Sequence, residues 1–213
     1  QSESIDGEKD FMTESLDVFR GVKESFEPKD DVDCYAEEIT RNGHTEIENI
    51  LNGGQLQILR QRMDELYEKQ TEDVGGEDSL REIGDSDSVK HLLALDELFL
   101  PLLKVETMLS IVKKFLGDYF ILNLQNGILN RPKIYNPASL WHRDLFYQHY
   151  SSSRPLAIST LFCIDDFTEE TGGTYILPGS HKHDVFPSSG FALKHQTQLS
   201  VKAGSLLIFD SMM

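Results

Sequence analysis

Residues 165–182 read DDFTEETGGTYILPGSHK, and this stretch indicates the fold class of the chain. An apolar run at 156–164 precedes this stretch, and Gly172-Gly173 indicates a turn within it. A second short apolar run follows the turn and ends at Pro178-Gly179-Ser180-His181. Short apolar runs separated by glycine turns are typical of antiparallel strands. The stretch therefore predicts a β-rich core around it.

A histidine and an aspartate lie two residues apart upstream of this stretch, in the segment Trp141-His142-Arg143-Asp144. In an extended segment, alternate side chains point to the same side, so the two can meet one metal ion. A set of two histidines and one carboxylate leaves positions open on iron(II) for a keto acid and oxygen. The spacing thus predicts His142 and Asp144 as two metal ligands, and the third must be another histidine.

The same spacing occurs once more, in His44-Thr45-Glu46, but no other signature lies near that pair. Short motifs of this kind match by chance. We therefore expect His44 and Glu46 to be ordinary strand residues.

Hydrophobic periodicity divides the chain into a helical first part and a strand-rich second part. Helices are predicted at residues 35–41, 56–69, 91–100 and 103–116, with a loop at 71–88. Strands are predicted at residues 44–51, 119–129, 134–135, 156–164, 174–177, 198–201 and 205–209. This order favours a mainly β domain, an antiparallel sandwich or barrel with flanking α-helices.

The Trp-His-x-Asp segment, the apolar strand ending in acidic residues, the glycine turn and the closing Pro-Gly-Ser-His-Lys together resemble the phytanoyl-CoA dioxygenase family. The resemblance covers about residues 35–213 and is strongest over 141–182. It implies a double-stranded β-helix, which is a cupin-like jelly roll. It also implies an oxygenase that uses Fe(II), O2 and 2-oxoglutarate to hydroxylate a small-molecule substrate, releasing succinate and CO2. Ascorbate is an optional further cofactor.

Carried over by position, the resemblance implies that His142 and Asp144 bind iron. It places the third ligand, a histidine, beyond Met213, with the arginine that binds 2-oxoglutarate further downstream. An aspartate at 144 favours hydroxylation, because halogenating relatives have a small residue there. His181 and His183 are alternative third ligands, although the resemblance favours a loop-stabilising role for His181. Arg143 is expected to point away from the metal, as a supporting or surface residue.

Three polar residues on predicted strands are candidate contacts to 2-oxoglutarate. Gln125 and Asn130 precede the His-x-Asp segment, and Thr160 lies in the strand after it. Each is interpreted equally well as an ordinary polar residue of a strand.

The chain is expected to have two regions. Residues 1–33 contain eleven acidic against four basic residues and are predicted to be a flexible acidic extension. Residues 34–213 are predicted to form an incomplete double-stranded β-helix dioxygenase domain. The chain begins at Gln1 and stops at Met213 directly after an apolar strand, so we expect it to be a fragment.

Composition limits the possible partners. A net charge of −16, from 36 acidic and 20 basic residues, argues against a nucleic-acid surface. No apolar run approaches the roughly 20 residues that span a bilayer, so membrane insertion is not expected. With two cysteines, the chain offers no disulfide framework, which favours an intracellular, cytoplasmic location.

Two other functions fit part of this pattern. A jelly roll that has lost turnover would be a binding or structural module, because a fold does not fix a function. A zinc hydrolase with histidine and aspartate ligands is the other alternative, but no general base is spaced to activate a metal-bound water.

Overall fold

The computed structural model describes residues 25–130 and 140–213. Its strands are β1 (His44–Ile47), β2 (Ser88–Val89), β3 (Gly127–Ile128), β4 (Ile158–Phe162), β5 (Tyr175–Ile176), β6 (Thr197–Gln198) and β7 (Leu206–Asp210). The main sheet has three antiparallel strands in the order β1-β7-β4, and two further antiparallel pairs are formed by β2 with β3 and by β5 with β6. The residues between β4 and β7 in the chain therefore leave the main sheet and return to it.

The helices are mostly in the first half of the chain. They are α1 (Asp31–Asn42), α2 (Gly53–Asp73), α3 (Glu77–Glu82), α4 (Leu92–Leu95), α5 (Glu106–Leu116) and α6 (Ser189–His195). In the described part of the chain, 3₁₀ helices span Glu97–Lys104 and Ser180–Lys182. Among the described residues, no helix is both long and apolar enough to cross a bilayer.

Side-chain alternation gives β7 two different faces. Leu206 and Ile208 pack into the cluster that contains Ile39 of α1 and Ile111 of α5. Leu207 packs instead with Cys163 and the loop residues after β6. Because successive side chains of a strand point to opposite sides, β7 separates a helix-covered face from a second face.

The two long helical predictions that flank the sheet are confirmed, and their ends follow local rules. Asn52 and Gln55 form a capping box at the start of α2, which satisfies backbone donors that the helix leaves free.

Helix α1 ends at Gly43, whose φ of 94° is left-handed. A Cβ at Gly43 would also lie 2.7 Å from Nδ1 of His181 and collide with Sδ of Met213. Glycine is thus required here for two reasons.

The expectation of a mainly β chain is wrong for the described residues, in which helix exceeds strand. Of residues 119–129, only Gly127–Ile128 forms a strand, and Tyr119 and Ile121 are 88% and 74% exposed. A strand needs a neighbouring strand for its hydrogen bonds, and among the described residues none lies beside most of this segment. The described strands do not close into a barrel.

Three local predictions also need correction. The predicted loop 71–88 contains α3, which buries Leu80. The predicted helix 91–100 is divided at Asp96, whose carboxylate accepts a hydrogen bond from the N–H of Leu98 at 2.8 Å and starts a 3₁₀ helix. That 3₁₀ helix continues through Pro101, where an α-helix was expected to end. The predicted strand 134–135 and the first 24 residues lie outside the described residues.

Candidate metal site

The structure brings His142 and Asp144 together, as the sequence predicts. Nε2 of His142 lies 3.6 Å from Oδ1 of Asp144. The segment is a loop that enters a turn at Asp144 and not the extended strand used to predict the contact. Both side chains remain partly open to solvent, with 55% and 41% of their surface exposed. The pair is therefore accessible to an ion and to small molecules.

The backbone fixes which nitrogen of His142 faces Asp144. Nδ1 lies 2.7 Å from the carbonyl oxygen of Leu140. Because a carbonyl oxygen only accepts hydrogen bonds, Nδ1 carries the hydrogen. In the neutral ring, Nε2 then presents its lone pair on the side of the carboxylate. Histidine ligands of metals commonly have their other nitrogen held in this way.

Asp144 is held by a side chain that was not predicted from the sequence. The hydroxyl of Ser159 in β4 donates a 2.5 Å hydrogen bond to Oδ2 of Asp144 and lies 2.7 Å from the hydroxyl of Ser211. The N–H of Leu145 also donates to the carbonyl of Ser211 at 3.2 Å. The end of β7 thus supports the His-x-Asp loop. A polar residue in an otherwise apolar strand was the only available sequence signal for Ser159.

The two groups shift each other's pKa. The nearby carboxylate of Asp144 raises the pKa of His142, against a smaller opposing effect of burial. For Asp144, burial raises the pKa, but the contact with His142 and the hydrogen bond from Ser159 together outweigh it and the pKa is lowered. Asp144 is consequently a carboxylate at neutral pH, which is the form that binds metals.

Arg143 points away from the pair, as predicted, but it is not a surface residue. Only 8% of it is exposed, and its guanidinium donates to the carbonyls of His183 at 2.5 Å and Asp184 at 3.0 Å. Its Cζ lies 5.1 Å from the ring centroid of Phe186. Arg143 therefore ties the segment after the Ser180–Lys182 helix to the loop that carries His142 and Asp144.

The three candidate cosubstrate contacts have no described contact with His142 or Asp144. The amide of Asn130 donates to the carbonyls of Thr171 and Gly172, at 3.3 and 3.2 Å. The carbonyl of Gln125 accepts a bond from the N–H of Leu92. Thr160 is directly next to Ser159 in β4, so its side chain points to the opposite face of the sheet.

His181 lies on a different side of β7 from Asp144. It is 2% exposed, with Nε2 3.3 Å from the carbonyl of Thr40 in α1. Burial lowers its pKa, and the charge of Asp210 opposes this effect. Among the residues that the structure describes, no group of three or more histidine, cysteine, aspartate or glutamate side chains is placed to hold a metal. His181 and His183 therefore do not complete a triad with His142 and Asp144.

Both cysteines are buried and free, which leaves neither as a nucleophile. Burial raises the pKa of Cys163 to about 12 and also raises the pKa of Cys34. Because the thiolate is the reactive form of cysteine, these thiols are inert at neutral pH.

Comparison with known proteins identifies relatives of the chain. The family model described as phytanoyl-CoA dioxygenase (PhyH) matches residues 39–213. An uncharacterized protein of Mycobacterium tuberculosis is 29% identical over 176 residues, which cover 79% of this chain and 63% of that protein. An iron/alpha-ketoglutarate-dependent dioxygenase of Aspergillus calidoustus, ausU, is 33% identical over 112 residues, or 49% of this chain and 35% of that protein. The chain thus spans less than two thirds of these relatives' length.

Solved structures share the fold. EctD from S. alaskensis matches 83% of this chain and 67% of its own, with a TM-score of 0.63 and 18% identity. The non-heme alpha ketoglutarate dependent epimerase SnoN from nogalamycin biosynthesis matches 85% of this chain and 73% of its own, with a TM-score of 0.60 and 14% identity. At this level of identity, the similarity establishes the fold alone.

Proposed function

This chain belongs to the phytanoyl-CoA dioxygenase family, and we propose that it carries the iron-binding loop of an oxygenase that hydroxylates a small molecule. The family uses Fe(II) and 2-oxoglutarate. The single observation that supports the proposal most is the pairing of Nε2 of His142 with Oδ1 of Asp144 in a partly open loop.

The residues present fit a divalent metal ion. Typical bonds from a metal to imidazole nitrogen or carboxylate oxygen are about 2.0–2.2 Å. Nε2 of His142 and Oδ1 of Asp144 are 3.6 Å apart, so one ion placed between them can bond to both atoms. Nε2 offers a lone pair when the ring is neutral, and Asp144 is ionised. We propose His142 and Asp144 as two ligands of the iron.

Bound iron and 2-oxoglutarate, together with O2 as the oxidant, would supply the oxidising chemistry, and the protein would supply position and shielding. The carbonyl of Leu140 sets the ring orientation of His142, and Ser159 sets that of Asp144. Both supports act on the atoms that do not face the metal. They hold the ligands in place before the ion binds.

The remaining ligands are proposed from the resemblance. We place the third histidine in the residues that follow Met213 in a longer protein, with the arginine for 2-oxoglutarate after it. Ser211 already lies within hydrogen-bond distance of Ser159, which itself contacts Asp144, so this part of the chain begins close to the site. Gln125, Asn130 and Thr160 are proposed contacts of 2-oxoglutarate, each to be tested by the effect of its alanine variant on the Kd of 2-oxoglutarate.

Trp141 provides a direct test, because it directly precedes His142, and Trp141→Phe identifies its share of the fluorescence. Anaerobic Fe(II) should quench its fluorescence in the full-length protein, and 2-oxoglutarate should then add a weak visible charge-transfer band. His142→Ala should abolish both signals. His149→Ala is the matched control, since His149 lies exposed in the same segment and should bind metal normally.

The outcomes separate the alternatives. Quenching and a band that both depend on His142, followed by succinate formation, would support the oxygenase. A folded full-length protein that shows neither signal would favour the binding or structural module. Zinc retained in place of iron, with hydrolysis of an ester probe, would favour the hydrolase. The substrate and the outcome of oxidation would then be identified by mass spectrometry of the products.

A further inference from the structure

A cavity of about 320 Å³ lies away from His142 and Asp144, between the helix-covered face of the main sheet and the segment before β4. Its polar lining consists of Thr40, Lys114, Ser153, Arg154, Lys182 and Asp210. Ligand pockets of proteins usually have volumes of about 300–1,000 Å³, so this cavity suits a small ligand.

Three cationic side chains converge on this cavity in a chain whose net charge is −16. Lys114 forms an ion pair with Asp33, which compensates one of the charges. Arg154 and Lys182 have no acidic partner within salt-bridge distance among the described residues. Asp210 in the same lining interacts with the charge of Lys182, so Arg154 and Lys182 together face one acidic side chain. The two cations repel each other, and a bound anion would reduce this repulsion.

The cavity is separate from the candidate metal site. Asp210 and Ser211 are consecutive, and the side chain of Asp210 lines the cavity while that of Ser211 contacts Ser159 on the other face. A ligand of the cavity would therefore lie behind the sheet that supports Asp144. The two sites are connected through the end of β7, and also through Arg143, which donates to the carbonyl of His183 directly after Lys182.

We propose that this cavity is a second binding site, specific for a small multivalent anion such as a phosphate or a polycarboxylate. The fork of donors on Arg154 matches the oxygens of either group, and Lys182 adds a second positive charge. The hydroxyl of Ser153 is a further donor, whereas the hydroxyl of Thr40 already donates to the carbonyl of Ala36.

The carboxyl of Asp210 gives the cavity one acidic group, whose removal should affect anion binding in the opposite sense to removal of a cation. Asp210 is 5% exposed, its Oδ1 accepts a hydrogen bond from the N–H of Met212, and its carboxyl lines the cavity. An ionised Asp210 opposes an incoming anion, although burial raises its pKa and favours the neutral form. Loss of a cation should therefore weaken anion binding, and loss of the negative charge at 210 should strengthen it.

The test is isothermal titration of the metal-free protein with citrate and with inorganic phosphate at constant ionic strength, with acetate as the monovalent comparison. Arg154→Gln and Lys182→Gln should each weaken binding of the preferred anion about 10-fold, as expected for loss of a hydrogen bond to a charged group. Asp210→Asn should tighten it. Lys194→Gln removes an equal charge from an exposed position of α6 and should change the affinity less than two-fold, taking about 0.4 kcal/mol as the limit for a surface charge.

Binding that is saturable, stronger for multivalent anions and altered in these directions would support the site, and the stronger of the citrate and phosphate responses would identify the ligand class. His142→Ala should bind the anion normally, so this result is independent of the iron site. Absence of saturable binding would overturn the proposal. An equal loss in Lys194→Gln would also overturn it, because the effect would then reflect net charge alone.

Discussion

The hydroxyl of Ser159 donates a 2.5 Å hydrogen bond to Oδ2 of Asp144 and thereby joins β4 to the loop that carries the candidate metal ligands. Oδ1 of the same carboxylate faces His142 at 3.6 Å. One oxygen of Asp144 is thus used for support and the other is left for an ion. Ser159 is the residue through which the sheet controls the geometry of the site.

Removal of this support should weaken metal binding. Ser159→Ala frees Oδ2 of Asp144, and loss of such a supporting contact typically costs about 10-fold to 100-fold in metal affinity. We expect a fall of at least about 10-fold for Co(II) or Fe(II), measured by quenching of Trp141. Ser200→Ala, at an exposed loop position, should leave the affinity unchanged. Equal affinities for Ser159→Ala and the native protein would show that the hydrogen bond does not position Asp144.

Arg143 should stabilise the fold through the two hydrogen bonds of its guanidinium and not through its charge alone. Lysine keeps the charge but ends in a single nitrogen, which does not reproduce the two donor nitrogens that face the carbonyls of His183 and Asp184. Arg143→Lys should therefore lower the free energy of unfolding by about 2 kcal/mol, measured by urea denaturation. Faster proteolysis within residues 183–188 should accompany this loss.

Arg81→Lys is the matched control for Arg143. Its side chain is 50% exposed and its ion pairs lie within a short helix, so the same change should cost less than about 0.5 kcal/mol. Similar losses for the two variants would contradict a specific role for the guanidinium of Arg143.

Gly43→Ala should destabilise the protein by more than about 1 kcal/mol, because a left-handed residue gains a Cβ that also meets the ring of His181. The measurement is the midpoint of urea unfolding. Gly190→Ala is the comparison, since Gly190 lies in α6 with no atom within 4 Å of its added Cβ. That variant should be neutral or slightly more stable, because alanine favours a helix.

His181 should make stability depend on pH. Burial lowers its pKa below the ordinary 6.5, so the unfolded chain binds a proton more readily than the folded chain. The free energy of unfolding should therefore fall as pH drops below about 6.5, the pH at which the unfolded histidine begins to be protonated. His181→Gln should lose less stability over this range, and His195→Gln, at an exposed position, should behave as the native protein. An unchanged pH dependence in His181→Gln would contradict the prediction.

Asp210 should destabilise the folded protein at neutral pH, and this effect should disappear at lower pH. Burial raises its pKa above 3.8, so its ionised form destabilises the folded state at neutral pH. This cost disappears as pH falls through the raised pKa towards 3.8. Asp210→Asn should consequently gain stability relative to the native protein at pH 7 and lose that advantage near pH 4, as measured by urea unfolding at the two pH values.

Local order was largely predictable from the sequence. The periodic apolar residues of α2 and α5 and the glycines that end α1 and α5 determine these helices through nearest-neighbour effects. Residues 119–126 show why the strands were less predictable. Their composition is that of a strand, but a strand forms only where a neighbour supplies hydrogen bonds, and the described fold supplies one for Gly127–Ile128 alone.

The sequence by itself determined the family and the helices that cover the sheet, because both depend on residue types at short, fixed spacing. It also indicated that His142 and Asp144 lie together, although a loop brings them together in place of the extended strand expected there. Only the tertiary structure decided that Ser159 supports Asp144, that Arg143 is buried against the carbonyls of His183 and Asp184, and that three cations share one cavity. Ser159 is 15 positions from Asp144, and Arg143 is 41 positions from Asp184. The residues that line the cavity are spread more widely along the chain. These side-chain contacts arise from the register of β4 and β7 and the path of the loops, which local spacing does not encode.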